Sequence, residues 1–274
     1  MKKTFPGITY PAFKKIARYF KNQLRLPVMI QGHRIFLHPV KDDPGVSGRI
    51  CRNGDFEPHI KEVIARVVKK GDIAVDVGAQ IGFFTLLLAR EAGPNGRVYG
   101  FEPDPGNFAL LRKNVIANAY SNVKLEEKAC ADKTGKGRLY LSKNDKGDGR
   151  IYDNTGMCRS LEIETVALDD YFATREERVD FVKIDAQGAE KRILQGMTKL
   201  LSGNRGLKMV IEFQPELMRN FGHNEPAEFL RLLSDHGFNV IDLSDPACPA
   251  ETDKLLSRYA SGSLTDLFCQ RNPM

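Results

Sequence analysis

The sequence predicts an α/β fold, built on a seven-stranded, mostly parallel Rossmann-like sheet whose last strand is antiparallel. Apolar strand-like runs alternate with helical patterns along most of the 274 residues, and this alternation is typical of a parallel sheet. One of these strands passes through a glycine turn directly into a helix, over residues 73–87. Two strands close the chain with no helix predicted between them, which indicates that the last one enters antiparallel. With 42% hydrophobic residues, the chain can build a sizeable core.

Hydrophobic periodicity places the elements in chain order. Residues 28–40, with Gly32 at their middle, predict a small hairpin, and the spacing of apolar residues over 60–68 predicts a helix that ends at Gly71. The predicted strands of the main sheet are 73–77, 98–102, 123–129, 179–184, 209–213, 240–243 and 264–270. Apolar residues at helical spacing predict the intervening helices around 82–92, 108–119, 193–201 and 229–233.

The turn after the first of these strands is a candidate binding site. It reads DVGAQIG, so that Asp76 precedes Gly78, Ala79, Gln80 and Gly82. A dinucleotide turn needs the spacing G-x-G-x-x-G, which seats a pyrophosphate on the helix amides. Here the spacing is G-x-x-x-G, and the preceding carboxylate would repel a pyrophosphate but attract a cation such as S-adenosylmethionine (SAM). The turn therefore favours SAM over NAD, with Gly78 leaving space for the ligand; a purely structural glycine turn is the alternative.

An acid at the tip of the next strand supports an adenosine-containing ligand. Glu102 lies 26 residues after Asp76, where it can accept hydrogen bonds from both ribose hydroxyls. Pro103 and Cys130 follow the second and third strands and are expected to flank the adenine. Glu57 is expected to reach the amine of the methionine part, although an acid at a helix start is also commonly structural.

Seven segments, in this order, resemble the FkbM-type methyltransferase family. They lie between about residues 56 and 271 and read DVGAQIGFFT, FEPDPGNFALLRKNV, ACADKTGKG, VALDDYF, VDFVKIDAQGAEKRIL, VIEF and LTDLFCQR. The resemblance implies the class I methyltransferase fold, SAM as cofactor, and methyl transfer to hydroxyl groups, often on sugars or polyketide-like compounds. It also implies that Phe83 lies near the methionine part of SAM. The chain departs from the family pattern at Gln187, where an acid is usual, and at Gln80, where Asn is usual.

The expected chemistry needs an aligned nucleophile and a base. Methyl transfer from a sulfonium is an in-line displacement, so its rate depends on positioning in a site that excludes water. Because a sugar hydroxyl is a poor nucleophile, a general base should assist. Asp185 is the candidate base, since it ends the fourth strand beside the crevice expected at the switch point of the sheet. A helix cap or a hydrogen bond to the SAM ammonium is the alternative role. Glu212 ends the fifth strand in the same way and is a candidate for orienting a ligand or substrate.

Residues 133–165 are irregular in pattern and rich in Gly, Asp and Asn. This segment is too long for an ordinary strand-to-helix connection. Within it, residues 144–158 are interpreted as a lid over the acceptor, and a surface loop without a ligand is the alternative. Polar side chains there suit hydrogen bonds to hydroxyls, and one tyrosine ring can stack on a sugar. The candidate substrate contacts are Asp148, Arg150, Tyr152, Asp153 and Asn154.

Basic charge is concentrated at the N-terminus. The net charge is +6, and residues 1–41 hold nine Lys or Arg and no acid, which leaves 32 basic and 35 acidic residues in the rest. Two interpretations stay open for the helix predicted here: it packs on the main domain by an apolar face, or it contacts an anionic partner such as a membrane surface, a glycolipid or nucleic acid. The apolar face consists of Phe13, Ile16, Ala17, Phe20 and Leu24.

Further features bear on organisation and compartment. We divide the chain into an N-terminal helix and hairpin extension, 1–55, and a methyltransferase domain, 56–274. No apolar run approaches ~18 residues, and the start lacks the apolar region of a signal peptide. The five cysteines are scattered without C-x-x-C spacing and are interpreted as reduced thiols. We therefore expect a cytoplasmic protein, with peripheral membrane contact as the alternative.

The expected partner is a small-molecule or glycan acceptor with a free hydroxyl. No metal is expected, because the five histidines are dispersed. No nucleic acid is expected either, because the turn after the fourth strand reads DAQG and lacks the N/D-P-P-Y pattern common in methylation of base amines. A nucleic-acid methyltransferase and a catalytically impaired SAM-binding module, the latter suggested by Gln187, are the alternative functions.

Overall fold

The structure is a computed structural model that describes residues 10–142, 149–151, 157–175, 178–247 and 250–271. The helices within these ranges are α1 (Tyr10–Gln23), α2 (Val46–Asn53), α3 (Pro58–Val67), α4 (Phe83–Ala92), α5 (Pro105–Ala117), α6 (Leu168–Phe172), α7 (Glu190–Gln195), α8 (Thr198–Gly203), α9 (Pro215–Met218), α10 (Glu225–Asp235) and α11 (Thr252–Arg258). The strands are β1 (Val28–Ile30), β2 (His33–Ile35), β3 (Ile73–Val77), β4 (Arg97–Phe101), β5 (Val123–Glu126), β6 (Ala129–Cys130), β7 (Gly135–Ser142), β8 (Gly149–Arg150), β9 (Met157–Val166), β10 (Phe181–Ile184), β11 (Lys208–Phe213), β12 (Asn239–Asp242) and β13 (Thr265–Gln270).

The central sheet of the described chain has seven strands in the order β12-β13-β11-β10-β3-β4-β5. Neighbouring strands are parallel except that β13 runs antiparallel to both β11 and β12. The predicted fold class is thus confirmed, including the antiparallel last strand. From β3 the chain builds outward through β4 and β5 and then returns to β10 on the other side of β3. This reversal opens a crevice at the carboxyl ends of β3 and β10.

Successive residues of the central strands enter two cores, one on each face of the sheet. Val75 and Val77 belong to the first core, together with residues of α7, α8 and α10. Ala74 and Phe181 belong to the second core, with residues of α3, α4 and α5. Strands that are buried on both faces need apolar residues at nearly every position. That requirement explains the continuous apolar runs from which these strands were predicted.

A second sheet, in the order β6-β9-β7-β8, lies in the segment expected to be irregular. The long strands β7 and β9 pair antiparallel, and Leu139 and Ile163 pack with Ala129 in a small core. The prediction for residues 133–165 was therefore wrong. Glycines and lysines weaken the local strand signal of β7, and its stability depends on pairing with a distant strand, which is context that local propensity does not record.

Other element boundaries differ from the predictions for similar reasons. The hairpin was confirmed as β1 and β2, whereas α2 was not predicted. The strand expected at 123–129 is divided between β5 in the central sheet and β6 in the second sheet. The helix α11 lies between β12 and β13, where none was predicted; only Leu255 of this short helix is buried, so it leaves little periodic signal.

The helix α1 is held to the protein by its polar side. The Arg18 guanidinium donates to the carbonyl of Cys51 at 3.0 Å. The Asn22 side chain is buried and its amide nitrogen donates to the carbonyl of His38 at 2.6 Å. Its amide oxygen accepts a hydrogen bond from the backbone nitrogen of Val40. These contacts fix which face of the helix is turned inward.

The predicted apolar face of α1 is consequently turned outward. Ile16, Phe20 and Leu24 are 43%, 62% and 67% exposed; the Phe13 side chain lies outside the described part. The interpretation that this face packs on the main domain was wrong, because the inner side of the helix carries Arg18 and Asn22, which bond to the backbone of the protein. None of the helices in the described ranges combines the length and the hydropathy needed to cross a bilayer.

Candidate functional site

A cavity of about 330 Å³ lies at the carboxyl ends of β3, β4 and β10. Its position is the crevice where ligands bind in open α/β sheets, and its volume falls within the range of small-molecule sites. The structure brings ten of the predicted site residues into its wall: Glu57, Gly78, Ala79, Gln80, Phe83, Glu102, Pro103, Cys130, Asp185 and Glu212.

Two residues of the glycine turn lie behind the wall. Asp76 is fully buried and accepts a hydrogen bond of 2.6 Å from the hydroxyl of Thr85 on α4. Burial raises the pKa of Asp76. Gly82 has φ +89° at the start of α4, and a Cβ there would lie 2.6 Å from a methyl carbon of Leu111. Both residues therefore shape the turn and do not line the cavity.

Gly78 lines the cavity, but its missing side chain faces the protein. Its φ is +74°, and a Cβ would lie 1.8 Å from the carbonyl oxygen of Asp185. The expectation that Gly78 leaves space for a ligand is corrected accordingly. The glycine allows the ends of β3 and β10 to approach, and the Asp185 backbone nitrogen donates to the carbonyl of Val77 at 3.1 Å.

Glu102 connects the turn after β3 to the end of β4. Its carboxylate accepts hydrogen bonds from the backbone nitrogens of Gln80, at 2.8 Å, and Asp104, at 2.9 Å. Burial raises the pKa of Glu102 to about 7, although these donors act in the opposite direction. The Asn107 amide also donates to Oε1, at 3.5 Å, whereas Oε2 accepts from Gln80 and has a further lone pair. The carboxylate can therefore still accept from a ligand hydroxyl at Oε2.

Three wall residues have left-handed backbone conformations although none is glycine. The φ angles are +40° at Glu57, +50° at Gln80 and +53° at Gln187. This region costs a non-glycine residue roughly 1–2 kcal/mol, and such strain collects at functional sites. The side-chain nitrogen of Gln80 is also buried without a hydrogen-bond partner in the described chain. Backbone strain and a side-chain donor without a partner therefore occur in the same wall of the cavity.

A cluster of charged side chains surrounds the end of β10. The Gln187 amide donates to Asp185 at 3.1 Å and to Glu212 at 3.3 Å, and so bridges the two carboxylates. The ammonium of Lys183 lies 3.3 Å from the other Asp185 oxygen. Burial opposes the charge of Lys183, but the carboxylates of Asp185 and Asp76 outweigh it and raise the pKa of Lys183. Lys183 therefore stays cationic within the cluster.

Two acids of the wall have raised pKa values. Burial, reinforced by the charge of Asp185, raises the pKa of Glu57 to about 7 and holds that of Glu212 well above its ordinary value. The guanidinium of Arg49 lies 3.5 Å from the Glu57 carboxylate, and its charge acts to lower the pKa of Glu57. A carboxyl group that titrates near neutrality can accept or donate a proton at physiological pH.

Sequence reasoning missed several wall residues. Arg49 lies on α2, which was not predicted, and Phe56 packs edge-on against Phe83 with ring centres 5.7 Å apart. Asn107 lies on α5 and bonds to the His38 ring at 2.8 Å. A buried polar residue in an amphipathic helix leaves no periodic signal, so Asn107 could not have been identified by pattern.

The predicted acceptor contacts are only partly covered by the structure. Asp148, Tyr152, Asp153 and Asn154 lie outside the described residues. Arg150 lies on β8 and is not in the cavity wall, although its neighbours Gly149 and Ile151 are. The wall therefore receives residues of the second sheet, and the roles of the loop side chains stay predictions.

Thiols and metal ligands add little to the site. Cys51, Cys130 and Cys269 are free and buried, and burial raises the pKa of the Cys130 thiol. Among the residues that the structure describes, no three His, Cys, Asp or Glu side chains are placed to share a metal ion. The polar groups of the wall are carboxylates, amides and the basic side chains of Arg49, Lys128 and Lys183.

The sequence matches a known protein family over residues 76–240, and that family is described as "Methyltransferase FkbM domain". The chain is 26% identical over 226 residues to the 31-O-demethyl-FK506 methyltransferase FkbM of Streptomyces tacrolimicus, a match that covers 71% of this chain and 84% of that protein. It is 25% identical over 162 residues to the 2-O-methyltransferase NoeI of Sinorhizobium fredii, covering 53% of this chain and 65% of that one.

Solved structures also resemble the chain at low identity. A SAM-dependent O-methyltransferase from Thermotoga maritima is 15% identical, with 82% of this chain and 71% of that chain covered and a TM-score of 0.45.

Proposed function

The chain belongs to the FkbM methyltransferase family, and from this premise we propose that it transfers a methyl group from SAM to a hydroxyl group of a sugar, glycolipid or polyketide-like acceptor. The observation that carries the proposal is the cavity at the switch point of the sheet. Its wall combines the carboxylate of Glu102 on one strand end with that of Asp185 on another.

The residues of the wall fit SAM. Glu102 offers a buried carboxylate to the ribose hydroxyls, and Pro103 and Cys130 offer apolar contact to the adenine. The unpartnered amide nitrogen of Gln80 can donate to the ligand. Glu57 can hold the ammonium of the methionine part through a charge-assisted hydrogen bond.

When bound, SAM supplies an electrophilic methyl group on its sulfonium. The protein's part is to align the acceptor hydroxyl, exclude water and remove the hydroxyl proton. Asp185 is assigned the last task, because its carboxylate ends β10 in the cavity wall and its side chain is 30% exposed. Lys183 and Gln187 each hold one Asp185 oxygen and so orient the carboxylate.

The relatives support a hydroxyl acceptor. The names of the two curated proteins reported above both specify O-methyl transfer. In this chain the second sheet contributes Leu139, Gly149 and Ile151 to the cavity wall, which also holds the carboxylates of Asp185 and Glu212. The wall thus offers an acceptor both apolar and polar contacts. A hydroxylated ring with one apolar face matches that surface.

The test is transfer of a labelled methyl group from SAM to a panel of glycosides, hydroxylated macrolides and glycolipids. Formation of an O-methyl ether, located by mass spectrometry and NMR, is the expected result. Methylation of nitrogen or of nucleic acid with no turnover of any hydroxyl compound would overturn the proposal. Binding of SAM without turnover of any acceptor class would indicate a binding module.

Asp185→Asn should lower methyl transfer by at least ~10²-fold, the lower end of what a general base contributes. SAM affinity should fall by much less, because asparagine keeps the size and part of the hydrogen bonding. Rates and calorimetric affinities are measured on the same preparations. Parallel losses in rate and SAM affinity would make Asp185 a cofactor ligand.

Glu212→Gln, assayed in parallel, is the matched variant, since Glu212 shares the Gln187 amide. If the rate falls with Glu212→Gln and not with Asp185→Asn, the base is Glu212.

A further inference from the structure

An outward-facing apolar surface lies on α1 and the turn directly after it, and we call it the apolar arc. It consists of Ile16, Tyr19, Phe20 and Leu24, which are all exposed. At 100° per residue Ile16, Tyr19 and Phe20 lie on one side of the helix, with the exposed Gln23 among them, and Leu24 follows directly after the helix. Leu26 and Met29, which follow along the chain, are exposed as well. Large apolar side chains grouped in this way mark an interaction surface.

The arc cannot be covered by a simple rotation of the helix. Arg18 and Asn22 lie on the opposite side, and they hold the backbone of Cys51 and His38. Turning the arc inward would break these contacts and leave the carbonyl of His38 without its buried donor. The exposure of the arc is therefore built into the packing of α1.

Basic residues border the arc on both sides. Lys15 lies beyond its Tyr19 edge, and Lys21 lies beyond its Leu24 edge; both side chains are exposed. The first 41 residues carry nine basic residues and no acid. An apolar strip between lysines is the surface that lies in the interface of a bilayer, with the apolar side chains among the acyl chains and the ammonium groups at the phosphates.

We propose that α1 docks flat on a bilayer that contains anionic lipids, through the apolar arc. A second copy of the chain fits less well, because pairing two arcs would bring their lysine borders together. Nucleic acid also fits less well, because the surface is mostly apolar and its lysines lie only at the borders. A bilayer with anionic lipids can bind both the bordering lysines and the exposed apolar side chains.

The apolar arc is connected to the cavity through α2. The helix α2 packs against α1, and the start of α2 contributes Val46 and Arg49 to the cavity wall. A bilayer bound by α1 is thus one helix away from the proposed site of methyl transfer. The inference itself does not depend on the acceptor or on SAM, since vesicle binding is measured without either.

The test is cosedimentation of the full chain with phosphatidylcholine vesicles, with and without phosphatidylglycerol. The expected result is pelleting with the anionic vesicles, weakened by salt. Phe20→Ser with Leu24→Ser should reduce binding by at least ~10-fold. Ile116→Ser is the matched control, because Ile116 is 68% exposed on α5, and it should bind like the parent.

Charge is tested separately, so that the proposal does not rest on one variant. Lys15→Gln with Lys21→Gln should weaken binding to anionic vesicles by about 5-fold per lysine. Lys133→Gln with Lys199→Gln, two exposed lysines elsewhere, should leave it unchanged. Circular dichroism melting checks that each variant is folded.

Several outcomes would overturn the proposal. The parent chain could fail to pellet with anionic vesicles, or Ile116→Ser could weaken binding as much as the arc variants do. A dimer in sedimentation velocity that the arc variants dissolve, without vesicle binding, would assign the arc to a second copy. Binding to duplex RNA or DNA in place of vesicles would assign the basic border to nucleic acid.

Discussion

Among single residues, Glu102 combines a structural contact with the proposed binding role. Its carboxylate is held by two backbone donors, and burial raises its pKa to about 7. A ribose hydroxyl bonds more strongly to the ionised carboxylate than to the neutral acid. SAM affinity should therefore rise as the pH passes upward through about 7, because the ionised fraction of Glu102 rises with it.

Glu102→Gln should weaken SAM binding by about 1.5–3 kcal/mol, the value of a hydrogen bond to a charged group. It should also reduce the rise in affinity between about pH 6 and pH 8. Calorimetry at the two pH values measures both effects. Glu62→Gln, at an exposed site on α3, serves as the control. A variant that binds SAM like the parent at both pH values would place the ligand elsewhere.

Gln187 is a neutral residue of the wall that lies between two carboxylates. Its amide bridges Asp185 and Glu212, and a glutamate at this place would bring three carboxylates together. Like charges raise each other's pKa values. Gln187→Glu should therefore move the rising limb of the pH–rate profile upward by about one unit or more.

The pH–rate profile of Gln187→Glu is measured at saturating SAM and compared with that of Gln187→Leu, which removes the bridging amide without adding charge. A shift in the glutamate variant alone supports the charge argument. If both variants shift equally, the hydrogen bonds of the amide are responsible.

The candidate site was predictable where its residues follow strands in the sequence. Glu102, Asp185 and Glu212 each come directly after or near the end of an apolar run, and parallel strands bring such ends to one edge of a sheet. Arg49 and Asn107 were not predictable, because they reach the cavity from helices whose order in space depends on packing. For Gly78 the expected reason was wrong, since the atom that excludes a side chain there belongs to Asp185 and not to a ligand.

Within elements, the junction of β3 with β10 depends on Gly78. A Cβ would lie 1.8 Å from the carbonyl oxygen of Asp185, and φ is +74°. Gly78→Ala should destabilise the fold by at least ~3 kcal/mol, because the positive φ alone costs roughly 1–2 kcal/mol and the overlap must be relieved by moving a strand. The free energy of unfolding in urea measures the loss.

Gly135→Ala is the control, since nothing lies within 4 Å of a Cβ at that position of β7. Its free energy of unfolding should stay within about 1 kcal/mol of the parent. Equal losses in the two variants would contradict the steric argument.

An element was predictable when the residues that stabilise it lie within its own sequence. The strand β3 and the helix α4 are buried almost throughout, so their apolar runs mark them. The strands β7 and β9 stabilise each other across an intervening segment. Leu161 and Ile163 of β9 alternate with glutamates, a strand pattern that the prediction overlooked. For α1 the predicted helix was right and the predicted buried side was wrong. The side that faces the protein carries Arg18 and Asn22, which donate to the carbonyls of Cys51 and His38.

For the whole molecule, buried acids make stability depend on pH. Burial raises the pKa values of Glu57, Glu102 and Glu190 each to about 7, above the ordinary value of about 4.5 that holds in the unfolded chain. The folded state therefore binds more protons than the unfolded state between these values. Stability from these groups is complete below about pH 4.5 and is lost as the pH rises through about 7.

The ligand-free protein should accordingly lose at least ~1 kcal/mol between about pH 6.5 and pH 8, which is roughly 2–4 °C in melting temperature for a chain of this size. Burial lowers the pKa of His33 to about 4, so the unfolded chain binds a proton there that the folded chain does not. This one group gains some stability as the pH rises from about 6.5, and the three acids together outweigh it. Thermal melts across the window measure the change. A melting temperature that is constant or rises would contradict the assignment.

The second core described above contains residues from both the N-terminal extension and the glycine-turn helix, with Ile35 and Ile50 packed in the same cluster as Phe83. This has a consequence for anyone who recombines members of the family to exchange acceptor specificity. A crossover placed at residue 56 would join two halves of one core that were selected separately. Chimeras should instead carry residues 28–56 together with α4, so that the hydrophobic surfaces on both sides of the seam come from the same parent.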